Sequence, residues 1–159
     1  PRLPVVDSHF FQSERDEQWF VGLTDGPCDT QNLAETVTDP KNGAIAQFFG
    51  VVRNHNDGLS AQAVDYDVHP ELAMKALKKL AIELTSVYPV RLMMVHSRGL
   101  VSVGEASVVI AASSAHRKDA LSAVADAIDL LKVRVPIWKR EIAPDESHRW
   151  LDGYSLRQD

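Results

Sequence analysis

Lys132, Arg134, Lys139 and Arg140 crowd around Pro136 in the stretch Leu131-Lys-Val-Arg-Val-Pro-Ile-Trp-Lys-Arg-Glu141, although the chain as a whole carries a formal charge of -5. Grouped cations of this kind suit two tasks: holding an anion, and moving a proton or steadying charge during group transfer. Pro136 cannot continue a helix and drives Val135 towards extended geometry, so a helix should end here and a strand begin. Lys132 then lies on the last helical turn and Lys139 on the strand. Within that strand Ile137, Lys139 and Glu141 share one face, and Trp138, Arg140 and Ile142 the other. Two rigid elements thus offer one lysine each. The plainer alternative is a favourable cation at a helix C-terminus followed by solvated strand residues, and spacing alone leaves both open.

Two other places could add to such a site. Ser113 or Ser114 is placed to open a long helix whose first turn carries His116, Arg117 and Lys118, where acidic residues would be expected. The free N–H groups of that turn favour an anion, so these cations point to phosphate or carboxylate binding, unless Asp119 and solvation offset them. The same helix runs on to Lys132, which puts the two groups roughly 24 Å apart at about 1.5 Å per residue. One site using both ends would need a second copy of the chain. Arg53 and His55 stand in Arg53-Asn-His-Asn-Asp-Gly58, a polar turn whose plainer reading, taken alone, is an ordinary loop.

Composition sets the limits. A chain of 159 residues, 45% hydrophobic and 25% charged, suggests one domain able to bury a core without staples. Its acidic balance argues against a general nucleic-acid binder, so any anion site is local. No apolar run approaches the roughly 20 residues that span a bilayer, and the cytoplasm is the expected location, with no membrane partner. Cys28 is the single cysteine, and no two of the six histidines have a short ligand spacing, so neither a disulfide nor a metal site is expected.

The remaining segments read as support. Residues 1–16 have mixed polarity and are expected as a loose arm, with the domain over 17–152 and a tail over 153–159. Gln18 to Leu23 reads as a strand, Asp29 or Thr30 as the cap of a helix to about Val37, and Gly43 to Arg53 as a buried strand. Ala61 to Val68 alternates cleanly and is expected to pair with that strand as a hairpin. Pro70 to about Val87 has helical spacing, and Lys75, Lys78 and Lys79 lie mostly off its apolar stripe. Val90 to His96 and Gly104 to Ala112 read as strands with a turn at Arg98-Gly99, and His96 as a half-buried structural residue. The core stripe of the last helix is expected at Leu121, Val124, Ile128 and Leu131. The sum is one α+β domain, its strands outnumbering two long helices.

Taken together, Gly43-Ala-Ile-Ala-Gln-Phe-Phe-Gly-Val-Val-Arg-Asn-His55, Ser113-Ser-Ala-His-Arg117 and Lys132-Val-Arg-Val-Pro-Ile-Trp-Lys-Arg-Glu141 resemble the large, catalytic subunit of molybdopterin synthase, from about Phe20 to Trp150. The resemblance implies an α/β hammerhead-type fold with mixed and antiparallel strands, and a homodimer at the centre of a heterotetramer. It implies transfer of two sulfurs to cyclic pyranopterin monophosphate, giving the molybdopterin dithiolene of molybdenum cofactor biosynthesis. The sulfur would arrive as a thiocarboxylate on the C-terminal Gly-Gly of a small ubiquitin-like subunit, expected here as a separate protein. No bound cofactor is implied.

Carried over by position, Lys132 and Lys139 match the family's catalytic lysines, Arg53 its active-site arginine, and His116 with Arg117 its anion-binding pair. Arg140 and His55 are further candidates for contact with substrate or partner. The chain departs from the family after Arg149-Trp150, where Gly153-Tyr154 stand in place of a further basic residue.

Overall fold

The computed structural model describes residues 10–56 and 58–151. In chain order its elements are β1 (Phe10–Arg15), β2 (Trp19–Asp25), α1 (Leu33–Val37), β3 (Ala44–Val51), β4 (His55–Asn56), β5 (Leu59–Ser60), β6 (Ala63–Val68), α2 (Pro70–Val87), β7 (Arg91–Ser102), β8 (Ala106–Ser114), α3 (Arg117–Arg134), β9 (Ile137–Ile142) and β10 (His148–Leu151). Eight strands form one sheet, and β4 with β5 makes a separate two-stranded ribbon.

The long strand β7 organises that sheet. Its first half lies between β2, to which it runs parallel, and the antiparallel β8. Its second half pairs with β6, which continues to β9 and then β10, all antiparallel. The expected turn at Arg98-Gly99 is therefore a kink inside one strand. Gly99 has φ +88°, a conformation side chains resist. Leu92, Met94 and His96 are buried before the kink and Val101 after it, so the core-facing positions shift parity across Gly99. One strand can thereby serve two differently twisted halves.

Helices α2 and α3 cover one face. Leu77, Leu80 and Leu84 of α2 and Ala123, Ala127 and Leu131 of α3 meet Val21, Leu92, Met94 and Ile110 there. The alanines let α3 approach the sheet closely, and they shift its buried stripe from the expected one: Leu121 is 59% exposed while Ala120 is buried. On the other face α1 brings Leu33 and Val37 onto Phe20, Met93, Val95 and Val109. It begins at Asn32, in a left-handed conformation with no side-chain cap, rather than at Asp29 or Thr30.

Three further expectations change. Phe10–Arg15 is a strand paired with β2, not part of a loose arm; residues 1–9 lie outside the described residues. The Gly43 to Arg53 run is a strand but not a buried one. It pairs with β8 alone, and Ile45, Phe49 and Val51 on its outward face are exposed. The hairpin between this strand and β6 does not form, because β6 is taken by β7 and β9.

Candidate functional site

The direction of α3 decides which cations can meet. Strand β8 runs from Ala106, opposite Val51, to Ser114, opposite Ala44, and α3 then returns across β8 and β3. Ser114 fixes the reversal, its hydroxyl accepting from Ala120 N at 2.9 Å and donating to His116 O at 2.5 Å. His116 is the N-cap residue but makes no side-chain cap bond. With 18 residues α3 spans about 27 Å, close to the rise of the nine-residue β8, so its C-terminus comes back to the Val51 end.

Lys132 on the last turn of α3 and Arg53 just beyond β3 therefore share one end of the molecule. The Arg53 loop is tied there by Val52 N to Glu105 O at 3.0 Å, Gly104 N to Val52 O at 2.9 Å and Ala61 N to Asn54 O at 2.9 Å. The neighbouring Gln62 N donates to Ile142 O, at the end of β9, at 2.9 Å. Lys139 stands three residues back along β9, roughly 10 Å at strand rise. His116 and Arg117 sit at the opposite end of α3. The fold thus places Lys132 and Arg53 at one end of the chain, with Lys139 further back on β9, and leaves His116 and Arg117 at the other end.

Pairing separates Lys132, Arg53 and Arg117 from the structural cations. Arg91, Arg98 and Arg134 are matched with Asp39, Asp25 and Glu83. Arg140 pairs with Asp65, its partner in strand register, at 2.6 Å, and lies 5.3 Å over the Trp150 ring, so it braces β6 against β9 on the face opposite Lys139. Glu141, only 3% exposed, is paired with Arg149, which also donates to Ser60 O at 2.8 Å. By contrast the exposed side chains of Lys132, Arg53 and Arg117 form no hydrogen bond or ion pair with any described residue. Unpaired cations at the end of a rigid element are available to an anion at little rearrangement cost. His55 stands exposed on the β4–β5 ribbon, beside the Arg53 loop.

Under Lys139 lies a buried polar group that the alternating pattern did not reveal. Tyr66 is the register partner of Lys139, and its ring meets the edge of the His96 ring at 5.1 Å between centroids. His96 is fully buried, not half-buried as expected, and burial lowers its pKa to about 4 despite the contact of Nδ1 with Ser97 O, the Lys139 charge adding to the effect. Burial raises the pKa of the Tyr66 hydroxyl, against which Ser107 acts in the lowering direction, and the Ser107 hydroxyl reaches Gly50 O at 3.3 Å. The signal available in sequence was His96 itself, a titratable residue at a core-facing position.

Cys28 is a poor sulfur carrier. Its thiol is buried, held near Ser97 Oγ at 3.3 Å, and burial pushes its pKa up to about 12, so it stays protonated near neutrality. It lines a cavity of about 550 Å³ with Phe10, Leu33, Met93 and Val109, on the α1 side of the sheet; none of the seven cationic candidates lines that cavity.

Fold and site together define an α+β domain with a lysine on the last turn of α3, another on β9 and an arginine just beyond β3. Comparison with known proteins makes the class specific. The family model described as MoaE protein matches residues 23–134. Curated relatives named molybdopterin synthase catalytic subunit are 36% identical over 93% of this chain and 83% of the Bos taurus protein, and 36% identical over 92% of this chain and 81% of the Homo sapiens protein. Among solved structures, molybdopterin synthase from Staphylococcus aureus superposes with a TM-score of 0.77 at 32% identity, covering 82% of this chain and 95% of that one. A complex of subunits 1 and 2 of molybdopterin-converting factor from Helicobacter pylori shares the fold at 24% identity, with a TM-score of 0.69, over 83% of this chain and 90% of that one. The chain belongs to the MoaE family.

Proposed function

We propose that this chain is the catalytic subunit of a molybdopterin synthase, moving sulfur from a thiocarboxylate on the C-terminal glycine of a small ubiquitin-like partner to cyclic pyranopterin monophosphate. What supports the reading is the placement of Lys132 and Arg53 at one end of the chain, unpaired among the described residues, with Lys139 on the neighbouring β9. In this reading the thiocarboxylate sulfur attacks a pterin side-chain carbon. The oxygen leaving that carbon takes a proton from Lys132, and water then cleaves the acyl–sulfur bond, returning the partner as a carboxylate. Lys139 and Arg53 steady the negative charge that develops. Two such transfers complete the dithiolene. The partner supplies the sulfur, in keeping with a buried, protonated Cys28, and no resident cofactor or metal is required.

His116 and Arg117 are assigned to the phosphate or pterin end of the substrate. Since α3 holds them about 24 Å from Lys132, they serve the site of a second copy within a homodimer. The exposed apolar residues Ile45, Phe49 and Val51 on β3 suit such self-association. The proposed compartment is the cytoplasm, where activation of a carboxylate to a thiocarboxylate has its ATP.

Single-turnover conversion of cyclic pyranopterin monophosphate, with the chain mixed with thiocarboxylated small subunit, tests the reading. Lys132→Ala is expected to lower the rate by about 10² or more while leaving affinity for the small subunit intact. A parent chain that binds the small subunit yet yields no dithiolene would make it a binding module instead.

A further inference from the structure

The His96 side chain has a feature that core packing does not explain. Its Nδ1 lies 2.8 Å from Ser97 O, and a carbonyl only accepts, so Nδ1 carries the proton and Nε2 a lone pair. That Nε2 is buried and has no hydrogen-bond partner among the described residues. An unmet acceptor in a core lowers stability, and the neighbouring core positions on the same strand, Leu92, Met94 and Val101, are apolar. A residue kept only to fill space there would be apolar as well.

The cation on the adjoining part of the sheet is Lys139. It is the register partner of Tyr66 on β6, the His96 ring packs edge-on against the Tyr66 ring, and the Lys139 charge is close enough to act on the imidazole. The Tyr66 hydroxyl does not satisfy Nε2, which has no hydrogen-bond partner among the described residues. The acceptor is left for an ammonium arriving from β9.

We propose that His96 is a positioning residue for Lys139, its Nε2 lone pair receiving the Lys139 ammonium, directly or through one buried water, and so setting where that charge stands during sulfur transfer. The ring is suited to this because burial keeps it neutral at physiological pH, so it attracts the ammonium rather than repelling it. The inference rests on the reading of Lys139 as the group that steadies developing charge.

Two substitutions separate the nitrogens. His96→Gln places a carbonyl oxygen about where Nε2 stands; His96→Asn keeps polarity nearer Nδ1 and leaves the Nε2 position empty. In single-turnover and steady-state assays with the thiocarboxylated small subunit, His96→Asn should lower kcat about tenfold or more, with KM and small-subunit affinity nearly unchanged. His96→Gln should stay within about threefold of the parent. Adding His96→Asn to Lys139→Ala should cost nothing further, since the two act through one group. As a readout independent of turnover, the Lys139 Nζ ammonium resonance should be protected from exchange in the parent and His96→Gln, and lost in His96→Asn.

Equal losses in Asn and Gln, a larger loss in Gln, or penalties that multiply with Lys139→Ala would each overturn the proposal. Should Lys139→Ala turn over like the parent while the Nζ resonance still depends on His96, the contact stands and the catalytic reading of Lys139 falls.

Discussion

At the scale of single residues, His96 makes stability depend on pH in a direction that can be worked out. Its folded pKa, near 4, lies below the ordinary 6.5. Above pH 6.5 the ring is neutral in both states and adds no pH dependence; as pH falls from 6.5 to 4 the unfolded chain takes up a proton that the folded chain refuses. Stability therefore drops across that window, by about 3 kcal/mol at its lower end. Urea unfolding at pH 7 and pH 4.5 should show the parent losing about 2 to 3 kcal/mol more than His96→Gln. A matching loss in both would place the acid sensitivity elsewhere.

Among the elements, β3 has to keep its register so that Arg53 leaves the sheet at the right point. A shift between Gly50 and Val51 marks its last turn against β8, and a Cβ on Gly50 would collide with Val108 Cγ1. Val is stiff at χ1 and cannot swing clear, so Gly50→Ala should cost about 1 to 3 kcal/mol and displace the Arg53 loop. The check is a fall in thermal midpoint together with a loss of kcat that Lys139→Ala-type variants would not share with altered stability. Elements whose burial follows one period could be read from sequence: α2 between Pro70 and Val87, and β9 after Pro136. Pairings could not, since β3 meets β8 and β6 meets β9 across more than fifty residues, and nothing local distinguishes those partners from a hairpin. β1 escaped notice because its residues are mostly exposed and polar, held by backbone bonds to β2. At the site the cations themselves were legible. The carboxylate that claims Arg140 was not, because Asp65 lies seventy-five residues away.

For the molecule as a whole, the two-ended distribution of cations predicts a complementation result. Lys132→Ala and Arg117→Ala should each be nearly inactive alone. Unfolded together and refolded as a mixture, they should regain about a quarter of parental activity, since about half the dimers are mixed and each mixed dimer has one undamaged site. No recovery would mean that both groups act within one chain. Strand β7 carries a further consequence. It is hydrogen-bonded to β2 and β8 before its kink and to β6 after it, so the two halves of the sheet share one continuous strand instead of meeting at a seam. The protein should consequently behave as a single cooperative foldon. In native-state hydrogen exchange, the amides of Leu92 to His96 and those of β6 and β9 should open together, at the free energy of global unfolding.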